Sequence, residues 1–304
     1  MKSSRASQLI WFAGALLACA VACADQVYEV TSTYHHIRVV NEEGMRTLYF
    51  DDAPESRMSM QDPLRGHFEY TEYFHMPLLW NSRLTNVLMI GLGAGTSQRA
   101  FEHYYPAVTV ETVEIDPAVV RVAREYFKFT ESARQKVHEA DGRVFLRRST
   151  ARYDSIILDA YVTSRYGSSI PPHLVTKEFF EMVRDHLSTN GVVAYNVIGT
   201  VNGWHSGLVG AIYRTLKTVF PQVYLFPAHT SQNIVVVATR SAVRSDLFTL
   251  RQRAASLIQT RRATLPSFLE RLDSFQAQAP LSAARSPVLT DDYAPVEGLA
   301  AGDR

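Results

Sequence analysis

The chain has 304 residues, 46% of them hydrophobic and 20% charged, which suits one large globular domain or one domain with a smaller appendage. Its 31 Lys and Arg against 30 Asp and Glu leave a net charge of +1, which excludes a broad basic surface for nucleic acid. The only long apolar run lies near the N-terminus, which excludes a polytopic membrane protein.

That run predicts an export signal over residues 1–24. Lys2 and Arg5 precede an apolar core, Leu9 to Leu17, and Ala22-Cys23-Ala24 offers small residues for cleavage before Asp25. It is too short for a comfortable membrane span. The expected location is therefore periplasmic, in a bacterium. Leu16-Leu17-Ala18-Cys19 also fits a lipoprotein box, which would lipidate Cys19 and anchor the protein; a buried N-terminal helix is the plain alternative. Cys19 and Cys23 are the only cysteines, so a chain starting at Asp25 has no disulfide, thiol nucleophile or cysteine metal site. No metal is expected.

Residues 25–80 read as a small antiparallel β unit and a linking helix. Tyr34 to Val40 and Arg46 to Phe50 are β-rich, with a turn at Asn41 to Gly44, and Asp51 to Pro54 closes the hairpin. Met58 to Gly66 reads as loop, and His67 to Trp80 as an aromatic helix that Pro77 bends or ends.

Over residues 81–240, strands and helices alternate. Strands are expected at Val87–Ile90, Val108–Glu114, Lys136–Ala140, Ser155–Leu158 and Val192–Val197. Between and after them come helices at Thr96–Tyr104, Pro117–Phe127, Gly142–Arg148, Thr176–Leu187 and Trp204–Val219. The last two strands, Val223–Phe226 and Ile234–Ala238, are separated by too few residues for a crossover helix, so the final one should pair antiparallel. The pattern predicts an α/β, Rossmann-like class I methyltransferase fold with a seven-stranded, mostly parallel sheet. Residues 241–304 read as surface helices ending in an acidic segment, Leu289 to Glu297, whose plain reading is a solvated tail.

Ligands of open α/β sheets bind beyond the carboxyl ends of the strands. Gly91, Gly93 and Gly95 follow the first strand of that region at once, where a glycine turn brings backbone N–H groups close to a ligand. Glu114 ends the next strand, 19 residues after Gly95, placed to accept from ribose hydroxyls. Asp116 follows, either beside the ligand or as an N-cap. Asp141-Gly142 ends the third strand, where a carboxylate can accept from an adenine amino group, and Asp159 ends the fourth. The glycine spacing departs from Gly-x-Gly-x-x-Gly because position 96 is Thr, which favours S-adenosylmethionine or a relative over a dinucleotide.

An ordered series of motifs then resembles the spermidine synthase family of polyamine aminopropyltransferases. It comprises Ser32 to Val39, Tyr70-Thr71-Glu72 before Pro77-Leu78, Val87 to Gly95, Val113 to Pro117, Ala140 to Gly142, Tyr153 to Asp159 and Leu174 to Phe180. The closing Thr290-Asp291-Asp292 and Pro295-Val296-Glu297 are similar to bacterial spermidine synthase-like proteins. The resemblance implies decarboxylated S-adenosylmethionine as the cofactor, a putrescine-like amine as acceptor, and a homodimer. It assigns Glu114 to the ribose, Asp141 to the adenine, and Asp159 to orienting or deprotonating the attacking amine beside Tyr70.

The departures fall among the acids that select substrate. Ala94 and Val162 stand where the family usually carries Asp, and no glutamine follows Asp52 at the usual spacing. Each charge-assisted hydrogen bond is worth about 1.5–3 kcal/mol, so losing two carboxylates should weaken polycation binding by several kcal/mol. The expected activity is aminopropyl transfer to an amine, with an altered acceptor. The alternatives are an S-adenosylmethionine-dependent methyltransferase and an exported, non-catalytic binding homologue.

Overall fold

The computed structural model describes residues 24–164 and 167–301. The export core and the lipidation motif at Cys19 lie outside the described residues. The first unit is a four-stranded antiparallel meander: β1 (Asp25–Thr31), β2 (His36–Glu42), β3 (Met45–Phe50) and β4 (Ala53–Ser59). The expected hairpin is its centre. Glu43 and Gly44 both take positive φ, 49° and 77°, as a two-residue turn between twisted strands requires.

Two strands of this unit, β1 and β4, were not among the expected runs. β4 contains Pro, Glu, Ser and Arg, a composition that reads as loop. Pairing with β3 makes it a strand, and only Asp51 and Asp52 form the turn before it. One face of the meander carries Ile37, Val39 and Leu48, which pack with Val119, Val122 and Phe127 of the following unit.

A 3-10 segment, Glu69–Leu79, forms within the expected aromatic helix and continues two residues past Pro77. Tyr73, Phe74, Met76, Leu78 and Leu79 in it are almost fully buried. This apolar content binds it to the sheet whatever its helical type.

The seven-stranded sheet comprises β5 (Asn86–Ile90), β6 (Thr109–Glu114), β7 (Gln135–Glu139), β8 (Tyr153–Leu158), β11 (Leu187–Ile198), β12 (Gln222–Pro227) and β13 (Asn233–Thr239). A two-stranded hairpin, β9 (Val162–Ser164) and β10 (Gly167–Ser169), follows β8. The sheet order is β12-β13-β11-β8-β5-β6-β7, and β13 runs antiparallel between β11 and β12. The remaining pairs are parallel. The inferred strand count and the antiparallel final strand are both present.

Helices α1 (Thr96–Tyr104), α2 (Pro117–Tyr126), α3 (Gly142–Arg148), α4 (Lys177–Asp185), α5 (Gly207–Val219), α6 (Leu247–Gln259) and α7 (Val296–Ala300) complete the chain. One core lies on the face covered by α4 and α5, with Phe180, Ile212 and Leu216. The other packs the 3-10 segment, α1 and α6 against Val87, Met89 and Val235. Strand order reverses between β5 and β8, with β6 and β7 on one side and β11 on the other, and a crevice opens at the carboxyl ends of these two strands.

The acidic C-terminal segment is not a loose tail. Leu289 is fully buried, and both oxygens of Asp291 accept from Arg143 at 2.7 and 2.6 Å.

Candidate active site

The crevice holds a cavity of about 270 Å³. Its floor is the turn after β5. Gly91 has φ +105°, and a Cβ there would lie 2.1 Å from the Asp159 carbonyl oxygen. Only glycine lets the ends of β5 and β8 approach this closely. Gly91 and Gly93 line the cavity. Gly95 does not: at φ +67° it opens α1 and packs on the Phe129 ring, 2.7 Å from where a Cβ would stand.

Glu114 lies under this turn. The Leu92 N–H donates to Oε2 at 2.9 Å and the Asp116 N–H to Oε1 at 3.0 Å. Burial nevertheless raises its pKa to about 7, because two neutral amides only partly replace water around a carboxylate. Asp116, by contrast, is 1% exposed and stands outside the cavity lining. Its side chain caps α2 at the Ala118 N–H and accepts from Ser32 Oγ, so its placement is that of a structural cap.

Asp141 and Gly142 line the cavity together. Asp141 Oδ1 caps α3 at the Val144 N–H, 2.8 Å away, and Oδ2 meets His173 Nε2 at 2.9 Å. Cap and lining roles thus share one carboxylate.

Asp159 is held by side chains from two elements. Asn196 Nδ2 on β11 donates to Oδ1 at 2.8 Å, and the Tyr70 hydroxyl of the 3-10 segment donates to Oδ2 at 3.3 Å. Asn233 on β13 in turn donates to Asn196 Oδ1 at 3.0 Å, fixing the amide's orientation. Burial raises Asp159 to about 6, with these two bonds opposing the rise. Burial, and then the neighbouring Asp159 and Glu55 charges, push Tyr70 well above its usual value, so its hydroxyl keeps its proton.

Sequence reasoning missed two of these groups. Asn196 could have been found, since it is a polar residue near the end of an apolar strand. Glu55 could not. It enters the cavity from β4, where Leu48 pairs with Ser56 but Tyr49 with Pro54, leaving Glu55 as the extra residue of a bulge. Glu55 and its neighbour Ser56 therefore both face the cavity, against strand alternation. Ala94 is fully buried, clustered with Val39, Leu48 and Val119, while Val162 lines the cavity.

Four acids, Glu55, Glu114, Asp141 and Asp159, face a space whose described lining contains no Lys or Arg. Phosphate groups would find no Lys or Arg partner in that lining and four acids to repel them. A cationic ligand with an apolar, hydrogen-bonding body fits, with Ile90, Val113 and Leu174 as apolar walls.

Comparison with known proteins gives the same direction. The family model described as "Spermine/spermidine synthase domain" matches residues 67–241, more than half of the chain. A polyamine aminopropyltransferase of Vibrio vulnificus is 31% identical over 286 residues, covering 90% of this chain and 91% of that protein. Human methyltransferase-like protein 13, solved in complex with SAH, aligns at 26% identity and a TM-score of 0.55 over 64% of this chain and 92% of its own. A spermidine synthase solved in complex with the transition state analogue AdoDATO aligns over 82% of this chain and 87% of its own, with 20% identity and a TM-score of 0.59, which speaks for the fold alone. The methyltransferase and non-catalytic alternatives are not favoured by these matches. The chain belongs to the spermine/spermidine synthase family and is a spermidine synthase-like transferase.

Proposed function

We propose that the protein transfers an aminopropyl group from decarboxylated S-adenosylmethionine to a primary amine of putrescine-like size. The observation that carries this reading is Asp159, half-buried and oriented on both oxygens, in a cavity lined by acids.

The lining fits the donor. Glycine backbone, apolar walls and acids suit an adenosyl body bearing a sulfonium and an ammonium, and no Lys or Arg in the described lining repels either charge. Glu114 accepts from the ribose hydroxyls with the lone pairs that Leu92 and Asp116 leave open. Asp141 receives the adenine amino group, and His173 beside it closes that end. When bound, the donor supplies an electrophilic carbon next to a positive sulfur.

The acceptor nitrogen must reach that carbon unprotonated. Asp159 accepts a hydrogen bond from the amine N–H, aims the nitrogen lone pair at the carbon, and takes the proton as the new C–N bond forms and the C–S bond breaks, the sulfonium leaving as a neutral thioether. A carboxylate whose pKa has risen to about 6 is a stronger base than an exposed aspartate while still ionised near neutrality. Tyr70 and Asn196 hold its two oxygens so that the free lone pair faces the cavity.

The test is transfer assayed with the purified protein, decarboxylated S-adenosylmethionine and a panel of mono- and diamines, alongside calorimetry with both forms of the donor. The expected result is a transferred aminopropyl group and tighter binding of the decarboxylated form. No transfer to any amine, together with no donor binding, rejects the reading. The export segment puts this chemistry in the periplasm, free or anchored at Cys19, and the active form is a homodimer. Fractionation, lipid labelling and sedimentation check these three points.

A further inference from the structure

The mechanism above leaves Glu55 unused, although it is the most unusual placement in the cavity. A bulge in β4 turns it inward. It lines the main cavity together with Asp159 and Tyr70, and all three also line a satellite recess of about 20 Å³. Thr71, Thr96 and Ser97 contribute to the recess wall. A space of that size admits a single ammonium head and nothing larger.

Glu55 is supported as an acid rather than cancelled as one. Its carboxylate accepts from Ser168 Oγ of the β9–β10 hairpin, a neutral partner. Arg57 reaches the same recess, but its Nε donates to the Gly66 carbonyl at 2.7 Å and its guanidinium lies 5.2 Å from the Phe68 ring centroid. The other titratable groups at this end, Asp159, Tyr70 and Tyr161, are acids or phenols. Two half-buried acids lining the same end of the cavity favour cationic groups there. Burial raises the Glu55 pKa to about 7, and the Asp159 charge adds to the rise.

Resting on the proposed transferase reading, we infer that Glu55 is the specificity-determining residue of the acceptor subsite, binding the distal ammonium of a diamine while Asp159 holds the attacking nitrogen. Glu55 then supplies an acid to the amine half of the site from the N-terminal sheet, whereas Ala94 and Val162 supply none. An acceptor with one nitrogen gains nothing from it. A diamine binding as ammonium ionises Glu55 and releases its proton, so diamine affinity rises as pH passes through about 7.

The experiment compares wild type with Glu55→Gln, using 1,4-diaminobutane and butylamine as acceptors. Glu55→Gln should raise KM for the diamine at least tenfold with kcat changed less than about threefold, and should leave KM for butylamine and donor affinity unchanged. The pH dependence of diamine KM near 7 should flatten in the variant. Calorimetry of the wild type in buffers of different ionisation enthalpy gives a readout independent of the variant's folding. There, diamine binding should release more protons near pH 7 than butylamine binding does. An unchanged diamine KM, an equal loss for both amines, or equal proton release overturns the inference while transfer by the wild type leaves the broader reading standing. A wild type that neither binds the donor nor transfers to any amine overturns both.

Discussion

The cavity has two walls built in different ways. On the donor side, Glu114 and Asp141 are fixed by backbone N–H groups of their own or adjacent turns: Leu92 and Asp116 for one, Val144 for the other. On the acceptor side, Asp159 and Glu55 are fixed by side chains, Asn196, Tyr70 and Ser168, from three separate elements. Backbone anchoring needs only that a strand run into a helix, so it survives sequence change on the wall it supports. Side-chain anchoring depends on partners far away in sequence, and each partner can be exchanged. Donor binding should therefore be the stable property of this site and acceptor choice the adjustable one.

The largest expected effect breaks the acceptor wall alone. Asp159→Asn removes the base and replaces one oxygen with an amide that faces either the Asn196 amide or the Tyr70 hydroxyl. Loss of a general base costs about 10²–10⁴ in rate, so kcat should fall by that factor while calorimetric donor affinity changes little. A parallel collapse of donor binding would show that the two walls are not independent.

The same division explains what could be read from the chain. The glycine turn, Glu114, Asp141 and Asp159 were legible because strand-to-helix transitions are local patterns, and ligand sites follow strand ends. Gly95 and Asp116 were legible as part of that pattern, yet sequence cannot tell a cap from a cavity wall; Asp116 turned inward to α2 and Ser32. Ala94 carried the expectation of a weakened amine half; its methyl group packs in an apolar cluster. Glu55 had no local signature at all. Its direction is set by a bulge that exists only because β3 and β4 pair out of step. The four-stranded meander was half-read for the same reason, since β4 is a strand by virtue of its partner.

The donor wall is broken by Glu114→Gln. Two N–H donors meet the two carboxylate oxygens, so an amide in that place must turn its NH2 toward one of them. One turn contact is lost along with the charge. At about 1.5–3 kcal/mol for a charge-assisted hydrogen bond, donor Kd should rise roughly 10- to 150-fold. Acceptor KM at saturating donor should stay within a few-fold of wild type. Circular dichroism melting separates this from general unfolding of the turn.

Both walls contribute to a pH effect on the empty protein. Glu55, Glu114 and Asp159 are raised by burial to about 7, 7 and 6. A raised carboxyl binds its proton more tightly folded than unfolded, so its stabilisation is full below the unfolded pKa and disappears as pH climbs through the folded one. An acid held by several donors acts oppositely. Hydrogen bonds from His229, Tyr73 and Thr230 hold Glu69 at about 2 against the cost of its burial, and that contribution is lost only in strong acid. The melting temperature of the ligand-free protein should therefore fall by a few degrees from pH 5 to pH 7.5. Donor or diamine at saturation should shrink the difference, because a bound cation favours the ionised forms. A melting temperature that rises across this window would mean that the cavity acids are ionised without a ligand.

The smallest effect isolates one contact within the acceptor wall. Tyr70 donates to Asp159 Oδ2 at 3.3 Å, longer than the 2.8 Å bond from Asn196, so Asn196 carries more of the orientation. Tyr70→Phe keeps the ring, which meets Phe74 edge-on at 5.8 Å between centroids. It removes one hydrogen bond that lowers the Asp159 pKa, and the carboxyl pKa should move up accordingly. A contact of about 1 kcal/mol corresponds to roughly a fivefold loss in kcat, with the acidic limb of the pH–rate profile displaced toward higher pH. A loss without that displacement would mean that Tyr70 touches the substrate amine itself, making the two walls meet at its hydroxyl rather than at Asp159.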